Sequence, residues 1–131
     1  MGKVKPPKAK GSKSIIAPET SAKGGSNHLH PVFCFKHLRG IEEADHDVCS
    51  ALATGLRERA QLTWAQITLA RRQGFGSEKI PRGQIGVSLA PFAADLEAVL
   101  SFRLSSKWRL LAHRDEQVLR LLYVDGEHGA Y

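Results

Sequence analysis

Toward the C-terminus, Lys107, Arg109, His113, His128 and Tyr131 fall within one short stretch of chain. Together these side-chain types suit the cleavage of an RNA phosphodiester. That reaction needs a base for the 2′-hydroxyl, cationic donors for the charge developing on the phosphate, and an acid for the departing 5′-oxygen. Arginine suits the phosphate because its planar fork donates two parallel hydrogen bonds to neighbouring oxygens. The same residue types also occur on basic sheets that catalyse nothing. Arg109 could equally pair with a helix acid such as Asp47 or Glu58, and His113 and Arg120 fit structural or surface positions better than catalytic ones.

The elements that must hold these groups are short. Across 107–113 the residues alternate, with Lys107, Arg109, Leu111 and His113 on one face and Trp108, Leu110 and Ala112 on the other. Arg114, Asp115 and Glu116 make a polar turn, and Gln117 to Val124 an apolar strand. Far upstream, Pro31 to Leu38 is aromatic and β-branched and reads as a first strand. There Val32, Cys34 and Lys36 point one way and Phe33, Phe35 and His37 the other. Residues 42–60 follow helical spacing, with Val48, Leu52 and Leu56 on one stripe. Glu42, Glu43, Asp45 and Asp47 in the first turns and Arg57 and Arg59 in the last complement the helix dipole. Gly55 weakens that helix by about 1 kcal/mol relative to alanine.

Thr63 and Gln66 have capping-box spacing, with Leu62 and Ile67 placed to form a hydrophobic staple. A second helix is therefore expected from Trp64 to about Arg72, stopped by Gly74-Phe75-Gly76. Residues 77–90 read two ways, since Pro81 and Gly83 oppose a long helix while Gln84 to Leu89 could form a short strand. Phe92 to Leu100 suits one or two helical turns. Strand, two helices, then antiparallel strands is an α+β fold.

Charge divides the chain. Residues 1–27 hold six lysines against one glutamate, +5, with three prolines and few branched apolar side chains. Such a segment buries too little to offset its ordering entropy and reads as a disordered basic tail. Residues 28–131 hold three lysines and ten arginines against twelve acids, +1, and make one folded domain. A lysine arm beside a near-neutral domain suggests attraction to nucleic acid through counterion release, or simply a solubilising tail.

No stretch reaches the roughly 18–20 apolar residues that cross a bilayer, so no membrane partner is expected. No apolar segment follows the basic N-terminus as a secretory signal would require. Cys34 and Cys49 form no C-x-x-C pair and read as reduced thiols in a cytoplasmic protein. His28 and His30 with Cys34 lack a second closely spaced ligand pair, so neither metal nor cofactor is expected.

The C-terminal pattern resembles the RelE/ParE/HigB-type bacterial toxins. The likeness rests on Phe102-Arg103, a short gap, Trp108-Arg109-Leu110-Leu111, a polar turn, the apolar run Val118 to Val124, and the closing His128-Gly129-Ala130-Tyr131. The blocks Leu62 to Ile67 and Gly74 to Ile80 also resemble small bacterial and prophage proteins with a similar C-terminal sheet and no established activity. The toxin resemblance implies a β-α-α-β-β-β order with a small antiparallel sheet packed against two helices. It further implies a metal-independent endoribonuclease acting on mRNA, often at the ribosome, with an antitoxin protein covering its basic face.

Carried over by position, Arg109 holds the scissile phosphate and His128 is the general acid or base. Tyr131 orients or stacks on a base, and Lys107 and Arg103 add positive potential. The chain departs from the pattern at Asp125-Gly126-Glu127, where two acids stand instead of a basic residue. They repel a phosphate unless Glu127 is itself the base. The gyrase-directed branch shares the fold without the RNA-cutting set, so fold alone does not decide activity.

Two other functions compete. One is a non-catalytic binding protein of the same fold. The other is a DNA-binding helix-turn-helix over residues 63–86, whose second helix would start at Ser77 and meet Pro81 and Gly83 in its interior.

Overall fold

The computed structural model describes residues 25–71 and 74–127. Strand β1 (Val32–Cys34) is followed by helix α1 (His46–Ala60) and helix α2 (Trp64–Leu69). Strands β2 (Ser77–Pro81), β3 (Ala98–Arg103), β4 (Arg109–Asp115) and β5 (Val118–Asp125) then follow, with 3-10 turns at Arg82–Gln84 and Pro91–Asp95 between β2 and β3. The five strands form one sheet in the order β1-β5-β4-β3-β2. The α+β expectation holds at this level.

Two features of the sheet differ from expectation. Four strands follow the helices rather than three, because Ser77–Pro81 pairs with β3 from Ser77↔Phe102 to Pro81↔Ala98. The sheet is also mixed, since β1 runs parallel to β5, with Cys34 opposite Arg120. Pro81 is tolerated because β2 lies at the sheet edge, where a missing N–H need not break a ladder. The same strand occupies the place where a helix-turn-helix would need its recognition helix.

Local signals act where they were expected. Asp45 is the N-cap of α1, its carboxylate accepting from the Val48 N–H at 3.1 Å. Glu42 and Glu43 therefore precede the helix. The capping box of α2 is complete, with Thr63 Oγ1 accepting from Gln66 N–H at 3.2 Å and Gln66 Oε1 accepting from Thr63 N–H at 2.8 Å. The helix ends at Leu69, three residues earlier than expected.

The sheet is covered on both faces. On one, Val48, Leu52, Leu56, Trp64 and Ile67 of the helices pack against Phe102, Leu110, Ala112, Leu119, Leu121 and Val124. On the other, Ile85, Leu89 and Ala93 from the segment between β2 and β3 cover Ile80, Val99, Leu111 and Leu122. A bulge reconciles β5 with both layers. Leu111 faces Tyr123 while Ala112 faces Leu121, so Leu122 is the extra residue. Leu121 then joins the helix-side core, and Leu122 and Tyr123 the opposite one. Full burial of a leucine contributes roughly 1.5–3 kcal/mol relative to exposure, which favours keeping both.

Gly25, Ser26 and Asn27, expected to belong to the tail, are part of the fold. Ser26 is buried, and Arg114 Nη2 donates to Ser26 Oγ at 2.9 Å and Asn27 Oδ1 at 2.7 Å. The Asn27 and Leu29 carbonyls accept from the first amides of α2. Residues 1–24 lie outside the described residues. No helix among those described is long and apolar enough to cross a membrane.

Candidate functional site

Three of the five expected site residues meet on the β3–β4 hairpin. Arg103 lies directly opposite Arg109, and Arg109 directly opposite Asp125 on β5. Cross-strand partners share a face, so Arg103, Arg109 and Asp125 form one row. Lys107 is exposed in the turn, its Nζ 5.9 Å from the Trp108 ring centre. The expected alternation holds along β4. Leu110 and Ala112 enter the helix-side core, while Leu111 enters the opposite one and shares its face with Arg109 and His113. His128 and Tyr131 lie outside the described residues.

The geometry gives each cation work within the fold. Arg109 Nη1 donates to the Ser105 carbonyl at 3.2 Å and to the Trp108 carbonyl at 3.1 Å. Arg103 Nη1 reaches the Ser106 carbonyl at 3.4 Å, and Ser105 Oγ accepts from the amides of Lys107 and Trp108. The turn is thus tied by its own polar groups. Arg109 holds these two carbonyls rather than the helix acids Asp47 and Glu58 considered as its partners.

Beside this basic hairpin lies an acidic cleft of about 390 Å³, lined by Glu43, Asp45, Tyr123, Asp125 and Glu127 among others. Gly40 lets the chain pass close to the end of β5. Its φ is 86°, and a Cβ there would sit 2.7 Å from the Val124 carbonyl oxygen. The Tyr123 hydroxyl is pushed above its ordinary pKa by burial first, then by Asp125, Glu43 and Glu127, which oppose a phenolate. The cleft therefore disfavours anions. A phosphate approaching the hairpin finds its favourable field on the Lys107 side, away from Asp125.

A titration follows from this. Phenolate absorbance should show Tyr123 losing its proton above the ordinary tyrosine range, and Asp125→Asn should lower that transition. Because the folded pKa is raised, the contribution to stability is intact below the unfolded value of about 10 and is lost as pH rises through the folded one. A Tyr123→Phe variant that removes only an ordinary transition would contradict the placement of the acids.

One buried cation was not foreseen from the sequence. Arg59, expected to serve the helix dipole, turns inward and is 3% exposed. Its guanidinium donates to the carbonyls of Gly55, Gly74, Phe75 and Arg103 at 3.1–3.2 Å. It also lies against the rings of Phe75 and Phe102, at 5.5 and 5.4 Å. Burial draws its pKa down from the usual arginine range, partly opposed by Glu58. It fixes the Arg103 end of β3 to α1, and so helps set where the hairpin stands.

Compared with known proteins, the chain matches no family model, no curated protein and no solved structure.

Proposed function

We propose that this chain is an RNA-directed α+β domain, acting as a toxin-like, metal-independent endoribonuclease on mRNA. The supporting observation is the β3–β4 hairpin, which gathers Arg103, Lys107 and Arg109 beside the half-buried Trp108. Clustered cations release counterions from a phosphate backbone. Trp108 packs from the other face of β4 against the helix-side core, with Lys107 Nζ over its ring. The lysine-rich residues 1–27 would strengthen attraction to RNA or the ribosome without adding sequence preference. On this proposal Arg109 steadies the scissile phosphate and His128 moves the proton. An antitoxin protein would neutralise the pair by covering the basic hairpin.

A specific observation favours a second reading, a binding protein of the same architecture that cuts nothing. Arg109 already donates to two turn carbonyls and faces Asp125 across the strands. A guanidinium so engaged has less freedom to follow a phosphate into a transition state.

Induced expression in a bacterial host, with mRNA 5′ ends mapped, separates the two. The endoribonuclease reading expects new discrete ends that disappear in the Arg109→Ala, His128→Ala double variant. Well-expressed wild type that leaves mRNA intact would end it in favour of binding.

A further inference from the structure

Away from the hairpin, the same sheet face carries a second group of side chains with no part in the proposed cleavage. Cys34, Arg120 and His113 are successive cross-strand partners on β1, β5 and β4. Phe92, from the Pro91–Asp95 turn, reaches over this row. Its ring centre lies 4.5 Å from that of His37 and 6.3 Å from that of His113, and Arg120 Cζ lies 5.8 Å from it. His37, Phe92, His113 and Arg120 are all half-buried, and Phe92 also packs against the core that holds Leu111 and Leu122.

The arrangement carries costs that packing does not explain. Arg120 stands opposite His113, so protonation of the imidazole places two cations side by side across the strands. Asp115 offsets part of that charge, holding Arg120 Nη1 at 2.9 Å. Among the described residues, His113 Nδ1 is shut off from solvent and has no hydrogen-bond partner, which costs stability. Two imidazoles and a guanidinium around one arene offer donors to a phosphodiester and flat surfaces to a base. That combination of cation and stacking surface is how single-stranded nucleic acid is held.

We propose that His37, Phe92, His113 and Arg120 form a second RNA contact, taking a phosphodiester and its unpaired base from a single strand. The contact rests on the proposal that RNA is the ligand. Arg109 and His113 are four residue steps apart along β4, about 13 Å at ~3.3 Å per step, a span a short single strand covers.

The test uses the full chain and a short oligouridine carrying one photoreactive thiouridine. Crosslinks are mapped to peptides, and affinity is measured for wild type and for the His37→Gln, His113→Gln variant, whose folding is checked by thermal melting. The proposal expects crosslinks to the segments carrying His37 and Phe92 in wild type, and a loss of affinity of about tenfold in the variant. Crosslinks confined to the hairpin, with unchanged affinity in the variant, would overturn this second site and leave the proposed function standing. Absence of binding by folded wild type would remove both.

Discussion

Replacing Arg59 with alanine is expected to destabilise the domain by about 3–4 kcal/mol, and to lower Tm by on the order of 15 °C. The guanidinium ties together three separate parts of the chain: its own helix at Gly55, the loop at Gly74 and Phe75, and the end of β3 at Arg103. Alanine leaves those carbonyls without their charged donor and opens a gap between the Phe75 and Phe102 rings. Hydrogen bonds to a charged group contribute about 1.5–3 kcal/mol each, but bonds from a single guanidinium do not add in full. Arg59→Lys keeps the charge and loses the fork, so it should recover only part of the stability. Urea unfolding of the three proteins decides the matter, and a midpoint for Arg59→Ala equal to wild type would contradict the role assigned to this side chain.

Gly76→Ala should cost about 2–3 kcal/mol for a different reason. A Cβ at this position would meet backbone, lying 2.9 Å from both the Ala70 carbonyl carbon and the Arg71 oxygen. Neither can move aside like the end of a long side chain, and the Gly76 N–H already donates to the Arg71 carbonyl at 3.0 Å. Gly83 is the internal control, because a Cβ there meets nothing within 4 Å. Gly83→Ala should therefore be neutral, or stabilising by up to about 1 kcal/mol through the unfolded chain. Equal destabilisation at both positions would show that flexibility, not the close approach at Gly76, sets the cost.

Much of the scaffold was legible because its signals are local. Asp45 and the Thr63–Gln66 pair mark helix starts by satisfying free amides in sequence-adjacent turns, and the alternation from Arg109 to His113 marks a strand. What was missed depends on distant partners. β2 carries Pro81 and little apolar alternation, so only its pairing with β3 identifies it. The segment covering Leu111 and Leu122 has no helical or strand period, although Ile85, Leu89 and Ala93 bury a whole sheet face.

The bulge at Leu122 is likewise invisible in an apolar run that reads as one plain strand. For the candidate site, sequence spacing brought Arg103, Lys107 and Arg109 together, since a hairpin is itself local. The turn-tying role of Arg109, the acidic cleft at Tyr123 and the His37–Phe92–His113 cluster depend on how the folded chain brings its groups together, which spacing does not record. An arginine near the end of α1 gave no hint that it was buried, because periodicity records position and not which way a long side chain turns.

The most direct test of the central claim is the affinity of full-length protein for single-stranded RNA across a range of salt, for wild type and for Arg103→Gln, Lys107→Gln. Those two substitutions spare the core and the Arg109 guanidinium but give up the Arg103 bond to the Ser106 carbonyl, so folding of the variant is checked by thermal melting. If the hairpin binds phosphates, the variant should bind at least about tenfold more weakly, and its salt slope should fall by roughly 0.7 for each phosphate no longer neutralised. Identical affinity and slope in the two proteins would contradict an RNA-directed hairpin.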